Sequence, residues 1–421
     1  MLIELRLIYG KMKLKNLVKR LGVTANLRTV KVMHLTLYGD FHTDRNGVIR
    51  ISNLIRKLAA KYDRLPFLID GIRMKSHPDG RGHFAYFNVV PSKDLAEFRK
   101  QLSIGMQPIA RSIKPWDSPI SEPLWHISIS LHKHHSSISK LMHSLHPANS
   151  PSLMDKFFAF ISGKKLIQVE HERNRDDLYL PLDALRITLL GDNRRIVFEY
   201  DLPTKQILPR NLALNRQIGK KSLSAYRSRA GLEAMPLLPT NLPRTFVISD
   251  LHLSHDNIII YCARPFIDSQ EMNSVLIDNW NRIVQPKDKV YFLGDMAFGR
   301  GSNAPEHYLS KLNGDITFIK GNHDSRFGGG ELKKVIEYCG KKLMLVHDSK
   351  DAPSEWKGWI IHGHNHNNEL WNFPFINGVK RTINVSAELI KYQPLDLDKL
   401  IALDFETIKR MDTVDSVPVR F

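Results

Sequence analysis

The chain has 421 residues, of which 42% are hydrophobic and 25% charged, proportions typical of a soluble globular protein. Its length exceeds what one ordinary hydrophobic core organises, so we expect two domains. No run of about 18 apolar residues occurs, so no membrane partner is expected, and the basic N-terminus lacks the small-residue cleavage site of a signal peptide. Because only two cysteines, Cys262 and Cys339, are present, we expect no disulfide framework and predict a cytoplasmic protein.

The net charge of +18 is concentrated in the first half of the chain. Residues 245–421 contain 21 Lys and Arg against 23 Asp and Glu, so 40 basic and 20 acidic residues lie in the first 244. An excess of this size favours a polyanionic partner, of which nucleic acid is the commonest. A generally basic proteome is the alternative explanation.

Apolar periodicity in the first half predicts short strands that alternate with helices. In chain order we predict a strand at 30–39, an amphipathic helix at 51–62, a strand at 83–90, a helix at 93–102 capped by Ser92, a strand at 123–131, a short helix at 138–146 and a closing hairpin of 184–190 and 194–202. The histidine-rich run 131–146 has no common ligand spacing, so we interpret it as a solvated loop and helix.

The segment 204–244 lacks sustained apolar periodicity and is rich in basic residues, and three prolines punctuate its end. These features predict a linker that is stiffened just before the next domain. Its basic residues either follow a phosphate backbone or are merely solvated.

Five apolar runs in the second half each end in a side chain that can bind a metal ion. The runs begin at 246, 289, 315, 342 and 358, and helical patterns such as 270–284 and 305–313 lie between them. Near-continuous apolar strands separated by helices indicate a sheet that is buried on both faces. Functional groups collect where the strands of such sheets end.

The polar motifs at these strand ends are Asp250-Leu251-His252, Gly294-Asp295, Gly321-Asn322-His323-Asp324, His347 and Gly363-His364-Asn365-His366. A spacing of two within the first and last motifs points both side chains the same way in an extended chain. Carboxylate, amide and imidazole ligands together suit manganese, iron, zinc or nickel rather than calcium. The combination and order of the motifs favour a two-metal site over unrelated packed or surface residues.

On these motifs, residues 245–421 resemble the calcineurin-like metallophosphoesterase superfamily, which implies an α/β/β/α sandwich. The resemblance implies seven metal ligands: Asp250, His252 and His366 for one ion, Asn322, His347 and His364 for the other, and Asp295 as the bridge. It also implies that His323, oriented by Asp324, is the catalytic histidine in metal-assisted hydrolysis of phosphate monoesters or diesters. We expect two divalent transition metal ions, manganese before iron, zinc or nickel, and a structural role for His255.

Two similar tripeptides lie in apolar strands of the first half, His34-Leu35-Thr36 and His126-Ile127-Ser128. Period-two geometry places the histidine and the hydroxyl of each on one face of its strand. An internal duplication would bring both pairs into one cleft, where one histidine acts as base and the other as acid toward a cyclic phosphodiester. Thr36 and Ser128 would then hold the phosphate oxygens. Histidines that merely pack within the strands are the alternative.

Residues 30–202 resemble the 2H phosphoesterase superfamily, the cyclic phosphodiesterases and 2′-5′ RNA ligase-like proteins. The resemblance rests on the two tripeptides, the segment 84–102 and the closing hairpin. It implies a bilobal domain that opens 2′,3′-cyclic phosphates to 2′-phosphates without a metal ion or another cofactor.

The combined prediction is an α/β and α+β protein with four regions: a basic N-terminal extension at 1–29, a 2H phosphoesterase-like domain at 30–203, a basic linker at 204–244 and a metallophosphoesterase domain at 245–421. Its predicted function is the processing of RNA ends, or of nucleotides with cyclic or terminal phosphates, by two activities. The first domain opens a cyclic phosphate, and the second hydrolyses the resulting monophosphate or a related diester. Two alternatives remain: a nucleotide phosphatase with a degenerate first domain, and a non-catalytic RNA-binding module that delivers a phosphatase.

Overall fold

A computed structural model describes residues 1–20, 34–76, 83–121, 123–132, 179–237, 242–299, 301–325 and 327–421. The α-helices in these ranges are α1 (Lys11–Arg20), α2 (Arg45–Ala59), α3 (Lys93–Met106), α4 (Arg210–Ala213), α5 (Arg216–Arg229), α6 (Asp256–Tyr261), α7 (Ser269–Ile283), α8 (Pro305–Leu309) and α9 (Leu397–Ala402). Among the described residues, no helix is both long and apolar enough to cross a membrane.

The strands of the first half are β1 (Leu2–Arg6), β2 (His34–Gly39), β3 (Leu65–Ser76), β4 (His83–Pro91), β5 (His126–His132), β6 (Tyr179–Ala184), β7 (Arg186–Leu190), β8 (Ile196–Asp201) and β9 (Gln206–Pro209). Those of the second half are β10 (Thr245–Ile248), β11 (Lys289–Phe292), β12 (Asp315–Phe318), β13 (Lys333–Tyr338), β14 (Lys341–Val346), β15 (Trp359–His362), β16 (Ile376–Asn377), β17 (Thr382–Asn384), β18 (Leu395–Asp396), β19 (Ile408–Met411) and β20 (Val419–Arg420).

Among the described residues of the first half, two antiparallel sheets share a hydrophobic core. Their strand orders are β2-β1-β7-β8-β9 and β5-β4-β3-β6. Because side chains alternate between the faces of a strand, Leu5, Leu35 and Ile187 enter the core from one face of the first sheet. Phe87 of the second sheet and Phe98 of α3 join the same core.

The other face of the first sheet is polar and still buried. Glu4, Thr188 and Glu199 lie side by side across β1, β7 and β8. Arg186 donates one hydrogen bond to Glu199 (2.8 Å) and another to Ser222 of α5 (2.9 Å). Pairing of the buried charges offsets much of their desolvation, so α5 can cover a face that is not apolar.

Two of the predicted boundaries differ from the structure. Strand β1, which the sequence placed in an extension at 1–29, lies inside the first sheet between β2 and β7. The predicted linker at 204–244 contains β9, which pairs with β8, and the helices α4 and α5. Helix α5 escaped prediction because its buried face includes Ser222 and Arg227, which interrupt the apolar period.

Most other predicted elements of the first half are present. Strands β2, β4 and β5 and the β7–β8 hairpin form as predicted, and Ser92 caps α3 by accepting a hydrogen bond from the Leu95 amide (3.1 Å). Helix α2 begins earlier than predicted, at Arg45, because Asp44 accepts a hydrogen bond from the Gly47 amide (2.7 Å). The helix predicted at 138–146 lies outside the described residues.

The second half is a mixed α/β arrangement, as predicted. Strands β10, β11 and β12 are parallel within a sheet of order β12-β11-β10-β18, and the second sheet has the order β13-β14-β15-β17-β16-β19-β20. Phe292 of one sheet, Ile361 of the other and Trp280 of α7 belong to one buried cluster. The sheets therefore share a core, and of the strands that carry polar motifs β10, β11, β14 and β15 are mostly buried, whereas β12 buries only Phe318.

Contacts between the two halves place α1 beside the C-terminal site. Arg227 of α5 donates a hydrogen bond to Glu271 of α7 (3.0 Å). Lys13 of α1 donates one to Asn367 (3.1 Å), the residue that follows the last of the predicted metal-binding motifs. The first half thus contacts the loop that carries His366.

Candidate metal centre

The predicted ligands follow the ends of β10, β11, β12, β14 and β15. These strands lie in neighbouring positions of the two sheets, and the isolated pairing of Ser249 with Ser386 joins the sheets beside the site. Polar residues just beyond the carboxyl ends of these buried strands therefore converge on one edge of the core. The seven predicted ligands come together there: Asp250, His252, Asp295, Asn322, His347, His364 and His366.

One group of side chains surrounds Asp250. Its Oδ1 atom lies 3.6 Å from His366 Nε2 and 3.8 Å from His252 Nε2. The other oxygen, Oδ2, accepts hydrogen bonds from the Ser386 hydroxyl (2.9 Å) and the His364 amide (3.0 Å). Asp250 is therefore held through one oxygen while the other faces the two imidazoles.

A second group surrounds Asn322. Its Oδ1 atom lies 3.1 Å from His347 Nε2 and 3.0 Å from His364 Nδ1. Asp295 lies between the groups, since its Oδ2 atom is 3.4 Å from His252 Nε2 and 3.4 Å from His347 Nε2. This is the position that a shared carboxylate would occupy.

Backbone strain is concentrated at these residues. Left-handed φ angles occur at five of the seven predicted ligands: Asp250 (60°), His252 (50°), Asp295 (59°), His364 (68°) and His366 (49°). Non-glycine residues adopt this region at a cost, and such residues cluster at functional sites where the surrounding structure imposes the conformation. Gly294 also has a positive φ (92°), and a Cβ there would lie 2.7 Å from Gly321 Cα. Only glycine fits between these two loops.

The electrostatics of the site fit a cation. Asp250 Oδ1 and His252 Nε2 are buried and have no hydrogen-bond partner among the described residues. Burial opposes protonation of His347, yet its hydrogen bond to Asp295 and the charges of Asp250 and Asp295 raise its pKa to about 9. Two buried carboxylates thus create a negative potential at the site, which a metal ion would neutralise.

Several residues that hold the predicted ligands were missed by sequence reasoning. His347 Nδ1 donates to the Leu293 carbonyl (2.7 Å), which directs Nε2 toward Asp295 and Asn322, where it can bind a metal ion. His366 Nδ1 lies 3.2 Å from both oxygens of Glu388, and Glu388 pairs with Arg264 (2.7 Å). Glu388 belongs to none of the motifs, and only folding brings it to His366.

Asp324, which we predicted to orient His323, binds the backbone of two loops. Its two oxygens accept hydrogen bonds from the backbone amides of Asp295 (2.6 Å), Met296 (3.1 Å) and Gly321 (2.8 Å). The buried carboxylate therefore joins the loops after β11 and β12. His323 instead packs on Phe298, with ring centroids 4.2 Å apart, and its Nε2 lies 4.0 Å from Asp295 Oδ2.

A cavity of about 360 Å³ opens onto this centre. Besides predicted ligands and His323, its walls are His255, Asn257, Ile258, Tyr261, Phe298 and Asn368. Burial, and then the neighbouring His252, lower the pKa of His255 to about 4, so this histidine is neutral near pH 7.

The two tripeptides of the first half lie on the outermost described strands of different sheets, and these strands, β2 and β5, contact each other. His34 Nδ1 is 3.6 Å from Glu4 Oε2. His126 Nδ1 donates to the Leu124 carbonyl (2.9 Å), and burial lowers the pKa of His126. Thr36 is half-buried and Ser128 is exposed.

Known proteins resemble the second half of the chain. The sequence model of the calcineurin-like phosphoesterase family matches residues 243–410. Over 165 residues the chain is 47% identical to an uncharacterized protein of Methanocaldococcus jannaschii, an alignment that covers 39% of this chain and 92% of that protein. The chain belongs to the calcineurin-like phosphoesterase family.

As a calcineurin-like phosphoesterase, the protein is a phosphoric ester hydrolase, and its family uses divalent metal ions. The matched segment contains all seven predicted ligands. Two clusters in it have the acid–imidazole composition of a metal site: Asp250, His252 and His366, and Asp250, Asp295 and His347.

Solved structures similar to this phosphoesterase include two of bacterial proteins. A protein of unknown function from Aquifex aeolicus is 24% identical, with a TM-score of 0.30, and the match covers 38% of this chain and all of that one. A predicted phosphoesterase from Streptococcus pneumoniae is 17% identical, with a TM-score of 0.20, over 34% of this chain and 71% of that one.

Proposed function

We propose that this phosphoesterase processes RNA ends with two activities on one chain. The first half opens a terminal 2′,3′-cyclic phosphate to a 2′-phosphate without a metal ion. The C-terminal domain then removes the monophosphate, or hydrolyses a related diester, at a dinuclear metal centre. The observation that carries the proposal is the position of Asp295 between the two groups of predicted ligand atoms.

The C-terminal residues divide the work between metal binding and proton transfer. Asp250, His252 and His366 would hold one ion, Asn322, His347 and His364 the other, and Asp295 both. Two bound divalent ions, manganese being our first choice, supply charge neutralisation and lower the pKa of a water molecule. His323, whose side chain is 33% exposed, would donate a proton to the leaving oxygen.

The contact between β2 and β5 supports the proposed role of the first half as a bilobal 2H phosphoesterase-like domain. His126 has the lowered pKa of a residue that is neutral at pH 7, and its Nδ1 proton is engaged by Leu124, so Nε2 is the atom that can accept a proton. His34, beside Glu4, would act as the acid, while Thr36 and Ser128 hold phosphate oxygens. The excess of basic residues in this half supports an RNA substrate.

An RNA that ends in a 2′,3′-cyclic phosphate tests both activities. We expect the wild-type protein to open the ring in the presence of a chelator and to release phosphate only after manganese is added. The double change His34→Ala and His126→Ala should slow ring opening by roughly 100-fold or more. Asp295→Ala should abolish phosphate release and leave ring opening intact. His42→Ala, an exposed histidine of the first half, is the matched control.

Two outcomes would overturn parts of this scheme. If Asp295→Ala abolishes ring opening as well, the first half is not catalytic. If RNA binding survives the double histidine change and weakens steeply with salt while ring opening is absent in the wild type, the first half is a delivery module.

A further inference from the structure

A row of rings borders the metal centre on one side. Tyr261, His255, Phe298 and His323 follow one another with centroid distances of 6.3 Å, 4.9 Å and 4.2 Å. Tyr261 and Phe298 are each 40% exposed, and both line the cavity. Exposed aromatic faces beside a polar centre offer a stacking surface to a flat ligand.

Backbone contacts hold the loop of Phe298 in place. The Phe298 amide donates a hydrogen bond to the Leu253 carbonyl (3.2 Å). Gly299 has a φ of 118°, and a Cβ there would lie 3.0 Å from the Ser254 carbonyl oxygen. The loop that carries Phe298 is therefore tied to the loop that precedes His255, which preorganises the surface and lowers the entropic cost of binding.

Polar groups that line the cavity distinguish one kind of flat ligand from another. Asn257 and Asn368 both line the cavity. A side-chain amide offers two donors and one acceptor, which match the edge of a nucleobase but find no partner on a plain phenyl ring. The cavity volume of about 360 Å³ lies within the usual range for small-molecule sites, roughly 300–1,000 Å³.

We infer that this cavity binds the base of a nucleotide whose phosphate lies at the metal centre. Tyr261 and Phe298 form the stacking surface, and Asn257 and Asn368 bind the edge of the base. The inference rests on the proposed function and narrows the substrate of the C-terminal site to nucleotides, including the last nucleotide of an RNA.

Steady-state kinetics of the manganese-loaded full-length protein with three phosphate esters tests the inference. The substrates are adenosine 2′-monophosphate, 4-nitrophenyl phosphate, which has a ring without a base edge, and glycerol 2-phosphate, which has no ring. We expect Tyr261→Ala to raise KM for the nucleotide on the order of tenfold. The KM for glycerol 2-phosphate should stay the same. Tyr261→Phe should retain the nucleotide KM, and Phe421→Ala, which removes an exposed ring of the same domain, is the control.

Binding of adenosine, measured by ligand-observed NMR on the metal-free protein, provides a readout that does not depend on turnover. We expect NMR signals that show contact between the base protons of adenosine and the protein. Tyr261→Ala should weaken these signals. If adenosine shows no contacts while phosphate esters are still hydrolysed, the base site is wrong and the phosphoesterase function stands. If adenosine binds and no ester is hydrolysed, the proposed function fails.

Two kinetic results would also overturn the inference. If Tyr261→Ala lowers kcat/KM equally for all three substrates, the rings only position His323. If Tyr261→Ala raises KM equally for the nucleotide and for 4-nitrophenyl phosphate, while Asn257→Ala changes neither KM, the site selects an aromatic ester and not a base.

Discussion

At the scale of a single residue, Glu4 is a buried carboxyl group with a raised pKa. It is 1% exposed, and its Oε2 atom has no hydrogen-bond partner among the described residues, with His34 Nδ1 3.6 Å away. Burial raises its pKa from 4.5 to about 8, although Arg194 and Arg6 oppose the shift. The folded protein therefore keeps a proton on Glu4 that the unfolded chain releases above about pH 4.5.

Because of this proton, we expect the contribution of Glu4 to the free energy of unfolding to fall as the pH rises. Between pH 4.5 and 8 the folded state binds one more proton at Glu4 than the unfolded state, so Glu4 lowers the free energy of unfolding by up to ~1.4 kcal/mol per pH unit. Glu4→Gln cannot ionise, and we expect its thermal midpoint to fall less than that of the wild type from pH 5 to 8. The exposed Glu97→Gln is the control, and parallel curves for Glu4→Gln and the wild type would contradict the prediction.

Helix α5 is an element that joins the two halves through its buried basic residues. Arg227 is 3% exposed and its partner Glu271 5%, and the guanidinium also donates to the Pro265 carbonyl (2.9 Å). Arg216, at the start of the same helix, is 69% exposed and pairs with Asp268. Arg227 thus serves packing between the halves and is not available to a phosphate backbone.

The two arginines predict very different stability losses. Arg227→Ala leaves Glu271 buried and unpaired, so we expect the free energy of unfolding to fall by ~3–5 kcal/mol. Arg216→Ala removes a solvent-exposed pair and should cost about 0–1 kcal/mol. Chemical denaturation of both variants measures the difference, and equal losses would show that the contact between α5 and α7 contributes little.

At the scale of the whole molecule, the first half depends on segments from both of its ends. Strand β1 separates β2 from β7, and α5 covers the polar face that contains Arg186 and Glu199. A fragment limited to 30–203 would expose the edges of β2 and β7 and leave those charges without their cover.

We therefore expect the fragment 30–203 to lack a cooperative unfolding transition, while the fragment 1–237 retains one. Thermal melts followed by circular dichroism, together with amide dispersion in NMR spectra, provide the measurement. Native-like dispersion from 30–203 alone would mean that β1 and α5 are accessory.

The positions of the metal-binding motifs were readable from the sequence because each motif is local. A buried parallel strand is a short apolar run, and a polar residue at its end is conspicuous against that run, as at Asp250 and Asp295. The same locality explains the correct cap at Ser92. Asp324 shows the limit, since its neighbour in sequence is His323 but its hydrogen bonds go to the backbones of two loops.

By itself, the sequence determined the order of five strands and their motifs in the second half, the charge asymmetry between the halves and the kind of side chain available for a metal ion. These properties depend on composition and on spacings within a few residues. Tertiary structure alone decided that β1 lies between β2 and β7, that Glu388 holds His366, and that Phe298 joins His255 beside the centre. Each of these contacts joins residues more than 20 positions apart, and such contacts form only when the whole core packs and long loops close.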